Sequence, residues 1–130
     1  MKVKIDTKEK FHVITPQTAQ ISATMAEDIR EMLLPYLQQE VKNLVLNLSE
    51  VDRLDLASAE QILHLQKEFY ENSASFVTCC MKKDVEIFLN NNDLWELFNS
   101  TPTESEAWDI VQMEEIEREI MDDGDWEEPS

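Results

Sequence analysis

Over residues 53–63 the chain reads RLDLASAEQIL, and two oxygen-bearing side chains there could act at a corner, Asp55 and Ser58. Asp55 stands where an apolar, strand-like run ends; small residues and then a helical pattern follow it. Ser58 is open to two uses. As a hydroxyl near a helix N-terminus it is a candidate phosphate acceptor, because the helix dipole and free N–H groups favour added negative charge. Its plainer use is as a cap, since Ser58 and Gln61 make an S-x-x-Q capping box. Asp55 in turn could satisfy backbone donors at the turn from strand to helix.

Elsewhere the chemistry thins out. His12 and His64 are the only histidines and fall in different elements, without HExxH or a Cys/His spacing for zinc. Cys79 and Cys80 are adjacent in an apolar segment. In a strand they would point to opposite faces, which leaves two buried thiols as the preferred reading over a metal or redox pair. No G-x-S-x-G elbow occurs. Gly124 is the only glycine, which excludes glycine-rich phosphate loops. With 28 acidic residues, a close carboxylate pair is expected by chance and does not itself indicate acid/base catalysis. No enzyme, metal or cofactor is expected.

The elements that must position the corner are legible from periodicity. Val3 and Ile5, then Phe11 and Val13, alternate with polar neighbours and predict two short strands forming a hairpin or a bent edge, with residues 8–10 at the turn. From Thr18 a helical face runs through Ile21, Met25, Ile29, Met32, Leu33, Tyr36 and Leu37, with Pro35 expected to kink the helix or end its regular part. Leu44, Val45, Leu46 and Leu48 are dense enough for a strand buried on both sides. After the corner, Ala59, Ile62, Leu65 and Phe69 resume a helical face. ASFVTCC predicts a further strand and MKKDVEIFLNN a short helix, with Val85, Phe88 and Leu89 inward. LWELF fits either a helical turn or a last strand. Thr103 with Glu106 caps a long final helix. Strands at about 43–49 and 75–80, and helices from near 18, 57, 82 and 103, make an α/β fold with helices packed on a mixed sheet.

A length of 130 residues fits one domain, and 42% hydrophobic content fits a real core. The formal charge of -17 argues against nucleic acid and anionic membranes as partners. No secretory h-region follows the N-terminal lysines, and no apolar stretch reaches membrane-spanning length. A cytoplasmic protein without direct membrane insertion is the expectation.

Taken together, NLVLNLSEVDRLDLASAEQILHL resembles the central segment of STAS domains, the family of bacterial anti-sigma factor antagonists. There a buried strand leads through a short link to Asp-Ser-Ser-Gly or a variant, where a helix begins. Residues 44–48 match the strand, Val51 and Leu54 the link, and Asp55 the motif aspartate. ISATMAEDIREMLLPYLQQ stands at the family's first helix, SASFVTCC at its next strand, and DVEIFLNNNDLWELF at the segment that follows; the likeness covers most of residues 11–112. The family's phosphorylated Ser or Thr position is Leu56 here, Ala57 replaces the next serine, and Ser58 stands where glycine is usual. The resemblance implies a non-enzymatic module that regulates transcription by partner switching with an anti-sigma factor or another histidine-kinase-like protein, here without the usual acceptor. It places the contact on Asp55, Leu56, Ala57 and Ser58 and on the following helix, whose exposed side offers Glu60, His64, Lys67 and Glu71 at helical spacing. A solvated face would show the same pattern. The alternative it leaves is a constitutive accessory subunit or scaffold of a transport or signalling complex.

The domain is expected over residues 1–112, with an acidic helical extension and flexible tail over 113–130. Residues 104–128 hold 12 acids against Arg118 alone. Ala107, Ile110, Met113, Ile116 and Ile120 recur at steps of three or four, a stripe expected to dock on the sheet or first helix. In the acidic end, Trp126 reads either as an anchor for a basic partner or as incidental.

Overall fold

A computed structural model describes residues 2–122; the expected tail and Trp126 lie outside the described residues. Strands β1 (Val3–Thr7) and β2 (His12–Pro16) form the hairpin, and β3 (Gln20–Ile21) follows. Next come α1 (Ala23–Leu33), β4 (Leu44–Asn47), β5 (Arg53–Leu54), α2 (Leu56–Glu71) and β6 (Phe76–Cys79). The chain continues through α3 (Lys83–Asn91), β7 (Ser100–Thr101) and α4 (Glu104–Asp122).

Among the described residues the main sheet has the order β1-β2-β4-β6-β7. The β1–β2 pair is antiparallel and the other pairs are parallel. The sheet is therefore mixed, as expected from strands alternating with helices. The short strands β3 and β5 make a separate parallel pair, joining Ile21 to Leu54.

Alternation along the strands divides the core in two. Ile14, Leu44, Leu46 and Phe76 share one cluster with Ile29 and Leu33 of α1, Ile62, Leu65 and Phe69 of α2, and Val85 and Leu89 of α3. Val13, Val45, Val77 and Cys79 face the other way, towards Ala107 and Val111 of α4. Leu44, Val45 and Leu46 are all fully buried, which explains why β4 reads as an unbroken apolar run.

One boundary departs from the sequence reading. The first helix begins at Ala23 rather than near 18, because Ile21 is taken into β3 and Ser22 caps the helix by accepting from the Met25 N–H at 3.3 Å. Pro35 then falls in a 3-10 turn, Leu34–Gln38, directly after α1. The ambiguous LWELF segment likewise contains a 3-10 turn, Trp95–Leu97, before β7.

With glycine absent before position 124, other residues take the left-handed corners. Ser73, just past α2, has φ 60°, and Asp93, just past α3, has φ 58°. Each closes a Schellman motif, with Ala74 N–H donating to Phe69 O at 2.9 Å and Leu94 N–H donating to Leu89 O at 2.8 Å.

Candidate partner-binding site

The corner lies at the carboxyl end of β4, the position where open α/β sheets generally present their sites. Asp55 has extended backbone and is the N-cap of α2. Its carboxylate accepts from the Ser58 N–H at 2.7 Å and from the Ser58 hydroxyl at 2.6 Å. Those bonds, with help from the Ala23 backbone, hold its pKa below the usual 3.8 against a small opposing effect of burial.

This arrangement corrects the expected capping box. The helix starts at Leu56, so Ser58 sits in its first turn as a donor to the cap and does not cap with Gln61. Ser58 is 0% exposed, and its single hydroxyl proton is shared between Asp55 and Ile21 O, which lies 2.9 Å from the hydroxyl oxygen. It ties the corner to β3, which is why a small polar residue fits there.

Among the other residues assigned from sequence, Asp55, Leu56, Ala57, Glu60, His64 and Lys67 are all exposed. Leu56, the first helical residue, is 45% exposed, a large apolar side chain presented to solvent at the head of α2. Helical spacing puts Leu56, Glu60, His64 and Lys67 on one side of α2. The opposite side, with Ala59, Ile62, Leu65 and Phe69, is buried. Three residues that sequence reasoning missed extend the strip. Leu63, Leu94 and Leu97 line a shallow groove with Glu60, His64 and Lys67. Leu97 lies in the segment whose conformation the sequence left open, so its position beside α2 had no local signal.

The cysteines also need correction. Cys80 lies just past β6 with φ 62°, which turns its side chain back, and the two sulfurs lie 3.5 Å apart rather than on opposite faces. Both are free thiols, Cys79 buried and Cys80 partly exposed. Burial, followed by the contact with Cys80, pushes the Cys79 thiol well above its ordinary value, so it stays protonated and a poor nucleophile. His12 is buried, with Nδ1 3.0 Å from Thr7 Oγ1 and Nε2 3.0 Å from Val41 O, a structural role. Among the described residues no cluster of His, Cys, Asp or Glu suits a metal ion. No described helix is long and apolar enough to cross a membrane.

Strand order, the corner after β4 and the order of the helices define a STAS-type module, and the STAS domain family matches residues 2–107. The chain belongs to the STAS domain family. Among solved structures it is similar to a Thermotoga maritima protein provisionally assigned as an anti-sigma factor antagonist, with TM-score 0.74 and 19% identity over 85% of this chain and 94% of that one. It is also similar to the phosphorylated Bacillus cell fate determinant SpoIIAA, with TM-score 0.61 and 16% identity over 85% and 99% of the two chains. The murine solute carrier 26 anion transporter member A9 has a similar region, with TM-score 0.67 and 13% identity over 80% of this chain and 18% of the transporter. No curated protein matches by sequence.

Proposed function

We propose that this chain is a non-enzymatic protein-interaction module of the anti-sigma factor antagonist kind, acting in the cytoplasm of a bacterium in transcriptional control. Its partner is an anti-sigma factor or another histidine-kinase-like protein, gripped through Asp55, Leu56 and Ala57 and along Glu60, His64 and Lys67. The observation that carries the reading is Leu56: the position where the family accepts phosphate is an exposed apolar side chain at the head of an exposed strip. Leucine has no hydroxyl, and Ser58 is buried and hydrogen-bonded twice. Association is therefore not controlled by phosphate at this corner, and Leu56 adds apolar contact area in its place.

A second reading, a constitutive accessory subunit of a transport or signalling assembly, draws on the likeness to a segment of a solute carrier 26 transporter. Affinity capture from native lysate separates the two: an anti-sigma kinase supports partner switching, and a membrane transporter supports the accessory role. Incubating the recovered kinase with ATP and this protein tests the missing switch, with phosphate mapped by mass spectrometry. The expected result is no phosphate on residues 55–58, and Leu56→Ser creates an acceptor without loss of fold. Stoichiometric phosphate on Ser58 coupled to partner release sinks the proposal.

A further inference from the structure

The second half of the long final helix is docked by its polar side. Ala107 and Val111 are fully buried, but further along α4 the groups that meet the sheet are Glu114, Glu115 and Arg118. The Ser75 hydroxyl donates to Glu114 at 2.5 Å, and the Asn43 amide donates to Glu115 at 3.1 Å. Arg118 donates to Asn43 Oδ1 at 3.3 Å and to Ser75 Oγ at 3.2 Å. The apolar stripe expected to cover the sheet therefore turns outward beyond Ile110, with Met113 56%, Ile116 57% and Ile120 50% exposed.

An exposed apolar row on a packed helix usually marks an interaction surface. Ile116 also lines a groove of about 890 Å³ between α4 and the turn of the β1–β2 hairpin. The groove's aromatic wall is Phe11 stacked on Trp108, ring centres 5.0 Å apart. Row and groove thus form one continuous surface, separated by the sheet from the strip on α2.

Charge selects the occupant. Residues 104–122 carry eight acids against Arg118, and Arg118 is turned into the sheet. On the hairpin side the groove carries Lys8, paired with Asp6 at 3.0 Å, and Lys10, but Glu9, Glu104, Glu115 and Glu119 outnumber them in its lining. Glu106, Asp109, Glu117 and Glu119 are exposed around the row. A second copy of the chain would set these carboxylates against their own kind, and anionic lipid would meet the same repulsion. We infer that the outer face of α4 and the adjoining groove bind a basic amphipathic helix of another protein, its apolar side on Met113, Ile116 and Ile120 and its lysines or arginines against the flanking carboxylates. This inference is independent of the reading of the α2 strip.

The test uses the full chain and two helical peptides of equal length, one built from leucine and lysine rows and one from leucine and glutamate rows. Titration calorimetry should show saturable, salt-sensitive binding of the lysine peptide and none of the glutamate peptide. The charge-conserving triple variant Met113→Ser, Ile116→Ser, Ile120→Ser should weaken binding at least tenfold, whereas Leu56→Ser on α2 should leave it unchanged. Replacing Glu106, Asp109 and Glu117 by glutamine should also weaken it and flatten its salt dependence. Binding that ignores the triple variant, tracks Leu56, or is replaced by self-association of the chain overturns the inference.

Discussion

Helices α2 and α4 lie on opposite faces of one sheet and are held there by opposite means. α2 buries Ala59, Ile62, Leu65 and Phe69 and gives its charged residues to water except Glu68, which pairs with Arg30 of α1, so hydrophobic burial is its main anchor. α4 buries a smaller apolar surface, Ala107 and Val111 fully and Trp108 and Ile110 in part, and relies on hydrogen bonds further along. Its partners stand immediately before three parallel strands: Asn43 before β4, Ser75 before β6 and Asn99 before β7. Asn99 joins the set by donating to Glu114 at 3.1 Å. At the other end of the sheet, Asn47 donates to Glu104 at 3.2 Å. The contrast teaches that a helix rich in carboxylates can dock on a sheet when each inward carboxylate has a donor waiting. It also frees an apolar row for another use.

The sharpest way to probe this contrast is to weaken each anchor in turn. Phe69→Ala removes the centre of α2's apolar face, where Phe69 meets Phe76 with ring centres 5.4 Å apart. A loss of about 3–5 kcal/mol is expected by denaturant unfolding, as for large buried aromatics in general. Ser75→Ala takes out the hydroxyl shared by Glu114 and Arg118, and should cost roughly 1–3 kcal/mol, the range for stranding buried polar partners. If Ser75→Ala cost more than Phe69→Ala, the ranking of the two anchors would be reversed.

A smaller effect is expected at the corner. Asp55→Ala should cost about 1 kcal/mol as the loss of an N-cap. The sign of its pH dependence follows from the depressed pKa. The carboxylate's contribution is complete above the usual 3.8 and fades as pH falls through the lower folded value. The gap in stability between wild type and Asp55→Ala should therefore narrow in acid, and a gap that widened there would contradict the capping geometry. The smallest change is predicted for Ile116→Ser, within about 0.5 kcal/mol, as for exposed positions generally. A loss well beyond that would mean that something already covers the row.

The same comparison explains where sequence reasoning worked. For α2 the apolar period and the burial coincide, because Ile62, Leu65 and Phe69 have no competing use. For α4 the apolar period was real, but its polar residues had better partners. Asn43, Ser75 and Asn99 carry no periodic signal and lie outside the helix, 15 to 72 positions from the carboxylates they meet. That Leu56 stands at the motif's acceptor position followed from the motif alignment, whereas its exposure and the choice between Asp55 and Ser58 as cap did not. Both are good caps, and one residue of difference in helix start decides between them.

The α/β order, the doubly buried β4 and the missing hydroxyl at position 56 are all legible in the residues, because alternation, helical period and residue identity are local properties. Tertiary structure alone decided which face of α4 meets the sheet, that Ser58 is tied to Ile21, and that Leu97 completes the strip on α2. Each of these depends on a hydrogen bond or contact between residues more than thirty positions apart, whose energy no local pattern records.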